Sequence, residues 1–292
     1  MSDLVFELRP PEGRHYLSWA ERLDAVARFS RADAVHAVCE EAYAIGARAI
    51  LAVFDPTIRE ALTTFQRWRD VPVWAVVPNM QAFIRDLTDL GMVGAAKSRF
   101  LRLKPADMIR LGLGVVPQVK GVLKKDFATG TTLVADMELA GLRGLKLTRI
   151  FLHPQVTEIA LAGGVTAVFT ALADRAERMG LEAGLLTHNP VRAAAVLGST
   201  LGRFKVVIAP ANPKGYKMFP SRATCEQLFQ SDPGRFLATE ITAGGAVDRA
   251  SALAYVRQLG MPGALVDVTY VEAAFRAGTP AAAPVAARAS GG

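Results

Sequence analysis

Several residue types and patterns that mark specialised protein classes are scarce in this 292-residue sequence. Its only two cysteines, Cys39 and Cys225, are far apart, which excludes a disulfide framework and a CxxC metal clip, so we expect buried, inert thiols. No stretch reaches the roughly 18 unbroken apolar residues that a membrane helix needs. The start, Met1-Ser2-Asp3-Leu4, lacks the basic-then-apolar order of a signal peptide, so we expect a cytoplasmic protein without a membrane partner.

Acidic residues are the minority among the charges. Lysine and arginine number 34 against 27 aspartates and glutamates, which gives a net charge of +7. Between residues 80 and 148, eleven basic residues against six acidic residues carry most of this excess. Because the sequence has no lysine-rich tail and no run that alternates basic with aromatic residues, nucleic acid is not the expected partner. The charge favours a small anionic substrate.

Short β-branched runs alternate along the chain with longer stretches of helical period, which is typical of repeated βα units around a parallel sheet. No GxGxxG follows the early strands, which excludes a Rossmann dinucleotide fold. The pattern therefore predicts an α/β protein with a (β/α)8 TIM barrel. The predicted strands are 49–54, 73–77, 149–152, 183–187, 204–209, 236–239 and 264–268, with one more at the N-terminus, either at 5–8 or around 16–17. The predicted helices are 32–46, 56–68, 165–179, 190–201, 221–230 and 248–259.

The connection between the third and fourth strands is far longer than a βα unit needs. It contains helical patterns at 80–90, 105–113 and 132–142, so we predict a helical insertion at 80–148, either a lid over the barrel mouth or an extension packed beside the barrel. The barrel as a whole is expected to span residues 1–278. The alanine-, proline- and glycine-rich end at 279–292 is expected to be a disordered tail.

Polar residues follow nearly every predicted strand, where the chemistry of such barrels takes place. We take four of them as candidate catalytic residues and eight as candidate substrate-binding residues. The catalytic candidates are His153, His188, Lys214 and Glu240. The substrate-binding candidates are Asn79, Gln155, Asn189, Asn212, Thr242, Gly244, Gly245 and Asp267.

His153 and His188 are two of only four histidines and follow neighbouring strands. They are suited to acid–base catalysis near neutral pH, or to binding a divalent metal with Glu240 or Asp267. Because no spacing such as HExxH is present, no metal site is assigned. The alternative is that each histidine caps a helix or bonds a loop carbonyl.

Two further features of the strand ends have a functional and a structural interpretation. Lys214 is suited to forming a Schiff base with a carbonyl substrate or to holding an anion, unless it is simply a solvated loop lysine. The glycines of 242–245 allow backbone N–H groups to approach an oxyanion or phosphate, although Glu240 and Asp267 would repel a dianion. The alternative for 242–245 is an ordinary glycine turn.

Two stretches, Phe151-Leu152-His153-Pro154-Gln155 and Tyr216-Lys217-Met218-Phe219-Pro220-Ser221, resemble an uncharacterised bacterial family of aldolase-type TIM barrels. Residues 236–245 are distantly similar to the end of the aldo/keto reductases. The resemblance covers less than half of the chain and implies a barrel. The tyrosine, lysine, aspartate and histidine set of the reductases has no counterpart at the early strand ends.

Three functions are compatible with these features. The leading hypothesis is an enzyme that acts on a small phosphorylated or carboxylated carbonyl compound by aldolase-like lyase or isomerase chemistry. The alternatives are an NADPH-dependent oxidoreductase like the aldo/keto reductases, and a barrel that binds a ligand without catalysis. The leading hypothesis requires no cofactor, with a divalent metal as the open alternative, and the sequence makes no prediction about oligomeric state.

Overall fold

A computed structural model of the chain describes residues 3–8, 18–80, 84, 88–89 and 127–277. Eight parallel strands pair in chain order, and the last pairs with the first to close a barrel. This confirms the predicted barrel, and the N-terminal strand lies at the first of its two predicted positions. The strands are β1 (Asp3–Leu8), β2 (Ala47–Val53), β3 (Val73–Val77), β4 (Leu147–Leu152), β5 (Glu182–Leu186), β6 (Phe204–Pro210), β7 (Phe236–Thr239) and β8 (Gly263–Val266).

Each strand is followed by at least one α-helix. The six helices predicted outside the insertion are present, whereas α1, α5 and α10 were not predicted. None of the helices in the described ranges is long and apolar enough to cross a membrane. The helices are α1 (Trp19–Phe29), α2 (Ala32–Ala44), α3 (Pro56–Phe65), α4 (Phe127–Gly141), α5 (Pro154–Gly163), α6 (Ala167–Arg178), α7 (Pro190–Leu197), α8 (Arg222–Ser231), α9 (Arg249–Gln258) and α10 (Val268–Arg276).

The amino-terminal part of the barrel interior is filled by large side chains from neighbouring strands. Leu51, Trp74, Arg149 and Glu182 are register partners across β2 to β5 and therefore share one face of the sheet. The Trp74 indole stacks on Phe151 with 5.5 Å between ring centroids, and the Arg149 guanidinium lies 4.4 Å above the indole. Nε of Arg149 is 2.6 Å from Oε2 of Glu182. This packing closes the end of the barrel opposite the site described below.

Helix α4 is the outer helix of the third βα unit. It packs against β3 and α6, and a Cβ added at Gly141 would lie only 2.4 Å from the ring of Phe54, which shows how closely the helix approaches the barrel. Within the predicted insertion at 80–148, residues 127–148 thus belong to the barrel itself. The predicted helix at 105–113, the proposed lid and the tail at 279–292 lie outside the described residues. Within the predicted helix at 80–90, the hydroxyl of Thr88 donates to the carbonyl of Ile84, as in a helical turn.

The two cysteines behave as predicted. Cys39 and Cys225 are both buried and unpaired by a disulfide. Burial raises the pKa of the Cys39 thiol far above its usual range and raises the pKa of the Cys225 thiol to about 11. Neither thiol is a ready nucleophile at neutral pH, since reactivity requires the thiolate.

Candidate active site

The sequence-predicted site residues follow six different strands, β3 to β8. Because all eight strands are parallel, their carboxyl ends meet at one end of the barrel, and the residues that follow them surround a single mouth. Position in the fold therefore brings these residues to one face of the protein. Their individual contacts decide which of them are free for chemistry.

Three of the predicted residues cap helices that begin directly after a strand. Oδ1 of Asn189 accepts from the backbone N–H of Arg192 at 3.0 Å, and Oδ1 of Asp267 accepts from that of Tyr270 at 2.9 Å. Nδ1 of His153 accepts from the backbone N–H of Gln155 at 3.3 Å. Capping explains why residues of these types stand at these positions. Gln155 itself is exposed on the first turn of α5.

Asn79 connects the loops that follow β2 and β3. Its Nδ2 donates to the carbonyl of Phe54 at 3.1 Å, and its backbone N–H donates to Oε2 of Glu138 at 2.6 Å. Glu138 lies on α4 and is only 2% exposed. It was not predicted as part of the site, because its position follows from the docking of α4 rather than from any strand end.

The loop after β5 is held by a carboxylate from the neighbouring α5. Oε1 of Glu158 accepts from the hydroxyl of Thr187 at 2.8 Å and from the backbone N–H of His188 at 2.7 Å. These two bonds fix the backbone of His188, whose side chain is half-buried at the mouth. Glu158 thus positions this loop rather than facing a substrate.

A fully buried amide ties the loop after β6 to the end of β7. Nδ2 of Asn212 donates to the carbonyls of Tyr216 at 2.9 Å and Glu240 at 3.1 Å, while its Oδ1 accepts from the backbone N–H of Tyr216 at 2.8 Å. Asn212 is 0% exposed. With these bonds the amide is occupied within the protein, and Asn212 joins the loops at this part of the mouth.

The residues that Asn212 positions include a cation and an anion. Nζ of Lys217 lies 2.6 Å from Oε1 of Glu240, and the two side chains are 37% and 25% exposed. Lys217 has φ of 57° and Glu240 has φ of 52°, so both adopt the left-handed conformation that non-glycine residues rarely take. Such conformations persist where surrounding structure enforces them, and they are concentrated at functional sites.

Lys214, the sequence-predicted Schiff-base lysine, is exposed on the same loop. A Schiff-base nucleophile must be neutral, which requires desolvation or a nearby cation, and an exposed side chain lacks the first. Nζ of Lys217, by contrast, is paired with Oε1 of Glu240. Lys217 rather than Lys214 is thus the cation of this loop that an ion pair holds in place.

The glycine-rich segment after β7 forms a tight turn whose backbone groups largely bond one another. The N–H of Gly245 and the N–H of Val247 both donate to the carbonyl of Thr242 at 3.0 Å. Gly244 and Gly245 have φ of 69° and 94°, which explains the glycines by backbone conformation. The N–H of Gly245 is therefore already bonded within the turn.

A small cavity lies at the carboxyl ends of β1 to β5. Two ionisable residues, Glu7 and His153, line it together with seven apolar residues from β1, β2, β3, β5 and the start of α5. It encloses about 260 Å³ of empty space, part of it open solvent, and accommodates about one water molecule. His153 is only 5% exposed. Since its Nδ1 accepts a hydrogen bond, the proton of the neutral ring lies on Nε2.

Glu7 was not predicted as a site residue, although the sequence contains a feature that marks it. It is the single charged residue in the otherwise apolar run Leu4-Val5-Phe6-Glu7-Leu8, and it pairs in register with Leu51, which also lines the cavity. A charge at an inward position of a barrel strand is costly unless it is paired or hydrogen-bonded, so such a residue stands out in an apolar strand.

The alternative metal site of two histidines and a carboxylate is not formed by the residues that the structure describes. Among the residues that the structure describes, no three histidine, cysteine, aspartate or glutamate side chains come close enough to hold a metal ion. His153 and His188 therefore do not converge with Glu240 or with Asp267 as coordination would require. Among the candidates His153, His188, Asn212, Glu240 and Asp267, only His153 lines the cavity described above.

Comparison with models of known protein families finds no match for the chain, and comparison with curated protein sequences finds none either.

Proposed function

We propose that the protein is an enzyme that binds a small anionic carbonyl compound at the barrel mouth and acts on it by proton transfer, as an isomerase or an aldolase-like lyase. The fold is one that commonly supports catalysis or ligand binding. The observation that carries the proposal is the Lys217–Glu240 ion pair, because both partners are held in left-handed backbone conformations at the end where barrel enzymes act.

In this proposal Lys217 supplies the positive charge that the substrate needs. Its ammonium has three donors, of which Glu240 takes one, so a carboxylate, phosphate or carbonyl oxygen can accept another. Glu240 and the Asn212 amide fix the position of that charge before the substrate arrives, which strengthens its interaction with developing negative charge. His153, which lies after β4 at the same mouth, is the candidate acid–base residue of the proposal.

The test is a thermal-shift screen of phosphorylated and carboxylated aldehydes and ketones, followed by affinity measurements on the compounds that stabilise the protein. We expect Lys217→Met to bind such a compound about tenfold or more weakly, since a hydrogen bond to a charged group contributes roughly 1.5–3 kcal/mol. The matched control is Lys205→Met, since Lys205 is exposed at the start of β6, at the opposite end of the barrel.

The outcomes separate the competing functions. Equal binding by the parent protein and Lys217→Met would contradict the proposal. Binding that depends on Lys217 without isomerisation or cleavage of any bound compound would assign the protein as a ligand-binding barrel. Consumption of NADPH with these carbonyl compounds would instead support an oxidoreductase.

A further inference from the structure

The loop after β6 carries two aromatic side chains that are exposed to solvent. Tyr216 is 39% exposed and directly precedes Lys217, the cation of the proposed site, and Phe219 is 54% exposed and follows shortly after it. A single exposed apolar residue is ordinary, but two aromatic rings on one short loop at the end where barrel enzymes act form a local apolar surface. Aromatic surface of this kind gains free energy when a ligand covers it.

The backbone that carries both rings is fixed by hydrogen bonds. Asn212 accepts from the N–H of Tyr216 at 2.8 Å and donates to its carbonyl at 2.9 Å. The N–H of Phe219 donates to the carbonyl of His188 at 3.4 Å, and the carbonyl of Phe219 accepts from Sγ of Cys225 at 3.2 Å. Phe219 therefore lies where the loops after β5 and β6 meet. Because the backbone is already in place, a ligand that covers the rings has little of the loop to order.

The Tyr216 ring lies directly beside the charge that the proposed function assigns to anion binding. Nζ of Lys217 is 5.2 Å from the centre of this ring and 2.6 Å from Oε1 of Glu240. An anion that binds the ammonium therefore brings the carbon atoms attached to it within reach of the ring. The cavity at β1 to β5, with room for about one water molecule, is too small to take those atoms instead.

We infer that Tyr216 and Phe219 form an apolar subsite beside Lys217, so that the substrate is an anionic carbonyl compound that also carries an aromatic or branched apolar group. The inference rests on the proposed function and narrows its substrate class. Lys217 binds the anionic group and fixes the orientation of the compound, while the two rings cover its apolar group. The subsite thereby discriminates against compounds that have the anion and the carbonyl alone.

Two probes that differ only by a phenyl ring test the subsite, phenylpyruvate and pyruvate, with affinities measured by NMR titration. We expect the parent protein to bind phenylpyruvate about tenfold more tightly than pyruvate, because the ring is buried against aromatic surface. In Tyr216→Ala the affinity for phenylpyruvate is expected to fall about fivefold or more, and that for pyruvate by about twofold or less. Tyr216→Phe, which keeps the ring, retains more of the phenylpyruvate affinity than Tyr216→Ala does.

Phe219→Ala is the second variant, which should show the same selective loss and keeps the test open should Tyr216→Ala fail to fold. The matched control is Phe275→Ala, because Phe275 is 50% exposed near the end of α10, away from the mouth. Phenylpyruvate affinity no higher than pyruvate affinity, or an unchanged phenylpyruvate affinity in either variant, overturns the subsite. So does an equal loss of both compounds, since the rings would then only hold the lysine in place.

A third probe separates failure of the subsite from failure of the proposed function. Benzyl alcohol carries the phenyl ring without an anion or a carbonyl, so its binding is expected to require Tyr216 and Phe219 but not Lys217. If Lys217→Met binds pyruvate as the parent protein does while benzyl alcohol still depends on the rings, anion binding by Lys217 is contradicted and the apolar subsite is not. If Lys217→Met weakens both acids while the ring variants bind benzyl alcohol as the parent protein does, the subsite alone is overturned.

Discussion

The cavity at β1 to β5 is lined by apolar residues and two ionisable residues, Glu7 and His153, whereas the mouth around β6 and β7 has an ion pair beside a buried amide. On the first side the functional side chains stand on a strand and at a helix cap, with ordinary backbone conformations. On the second side Lys217 and Glu240 depend on strained backbone. The comparison shows that one barrel can place ionisable side chains by regular structure and by local strain at the same mouth.

The largest expected effect tests the strained side. Asn212→Ala leaves two carbonyls and one N–H without their buried partner, so we expect the free energy of unfolding to fall by about 3 kcal/mol or more. The measurement is urea unfolding. Asn189→Ala is the matched control, because Asn189 makes a single capping bond and its loss costs about 1 kcal/mol. Equal losses in the two variants would contradict the role assigned to Asn212.

A smaller effect is expected where a carboxylate supports the first side. Glu158→Ala removes the acceptor of two bonds, from the Thr187 hydroxyl and the His188 backbone, and we expect a loss of about 2 kcal/mol in the free energy of unfolding. Glu158→Gln keeps a side-chain oxygen in reach of both donors and should lose less than half as much. Equal losses in both variants would mean that packing, and not hydrogen bonding, holds the loop after β5.

The first side was largely predictable from the sequence. The ends of the strands can be predicted because apolar runs end at polar residues, and His153 was identified in this way. Its capping role is readable as well, since Pro154 follows it at the first helical position. Glu7 was not predicted because the N-terminal strand had two possible positions, so the direction of the Glu7 side chain was unknown. The docking of α4 that buries Glu138 is a tertiary contact with no local pattern.

The second side was less predictable for a different physical reason. The positive φ values of Lys217 and Glu240 are imposed by the bonds of Asn212 and by the turn after β7, and lysine and glutamate do not signal such conformations. Lys214 was predicted as the candidate Schiff-base lysine, yet its side chain is exposed on the loop. The polar residues at the strand ends were taken as catalytic or substrate-binding candidates. Five of them instead make structural bonds, as helix caps or between loops: His153, Asn189, Asp267, Asn79 and Asn212.

The smallest expected effect concerns Asp136 on α4, the helix that flanks the first side. Asp136 is only 8% exposed, and burial raises the pKa of its carboxyl, with Arg175 and Arg178 opposing the rise. Oδ1 of Asp136 lies 2.8 Å from Nε of Arg175, but without the alignment of a hydrogen bond, which fits the dominance of burial.

The sign of the pH dependence follows from the raised pKa. The folded protein binds the Asp136 proton more tightly than the unfolded chain does, so this contribution to stability is complete below the ordinary value of 3.8 and is lost as pH rises through the raised pKa. We therefore expect the parent protein to lose stability relative to Asp136→Asn as the pH rises from about 4 toward neutrality, in urea unfolding measured at each pH. Asp33→Asn is the control with the opposite sign, because a side-chain hydrogen bond from Arg31 lowers the pKa of Asp33 and its contribution is lost as the pH falls. Parallel stability curves for the parent protein and Asp136→Asn would show that Arg175 and Arg178 fully offset the burial of the carboxylate.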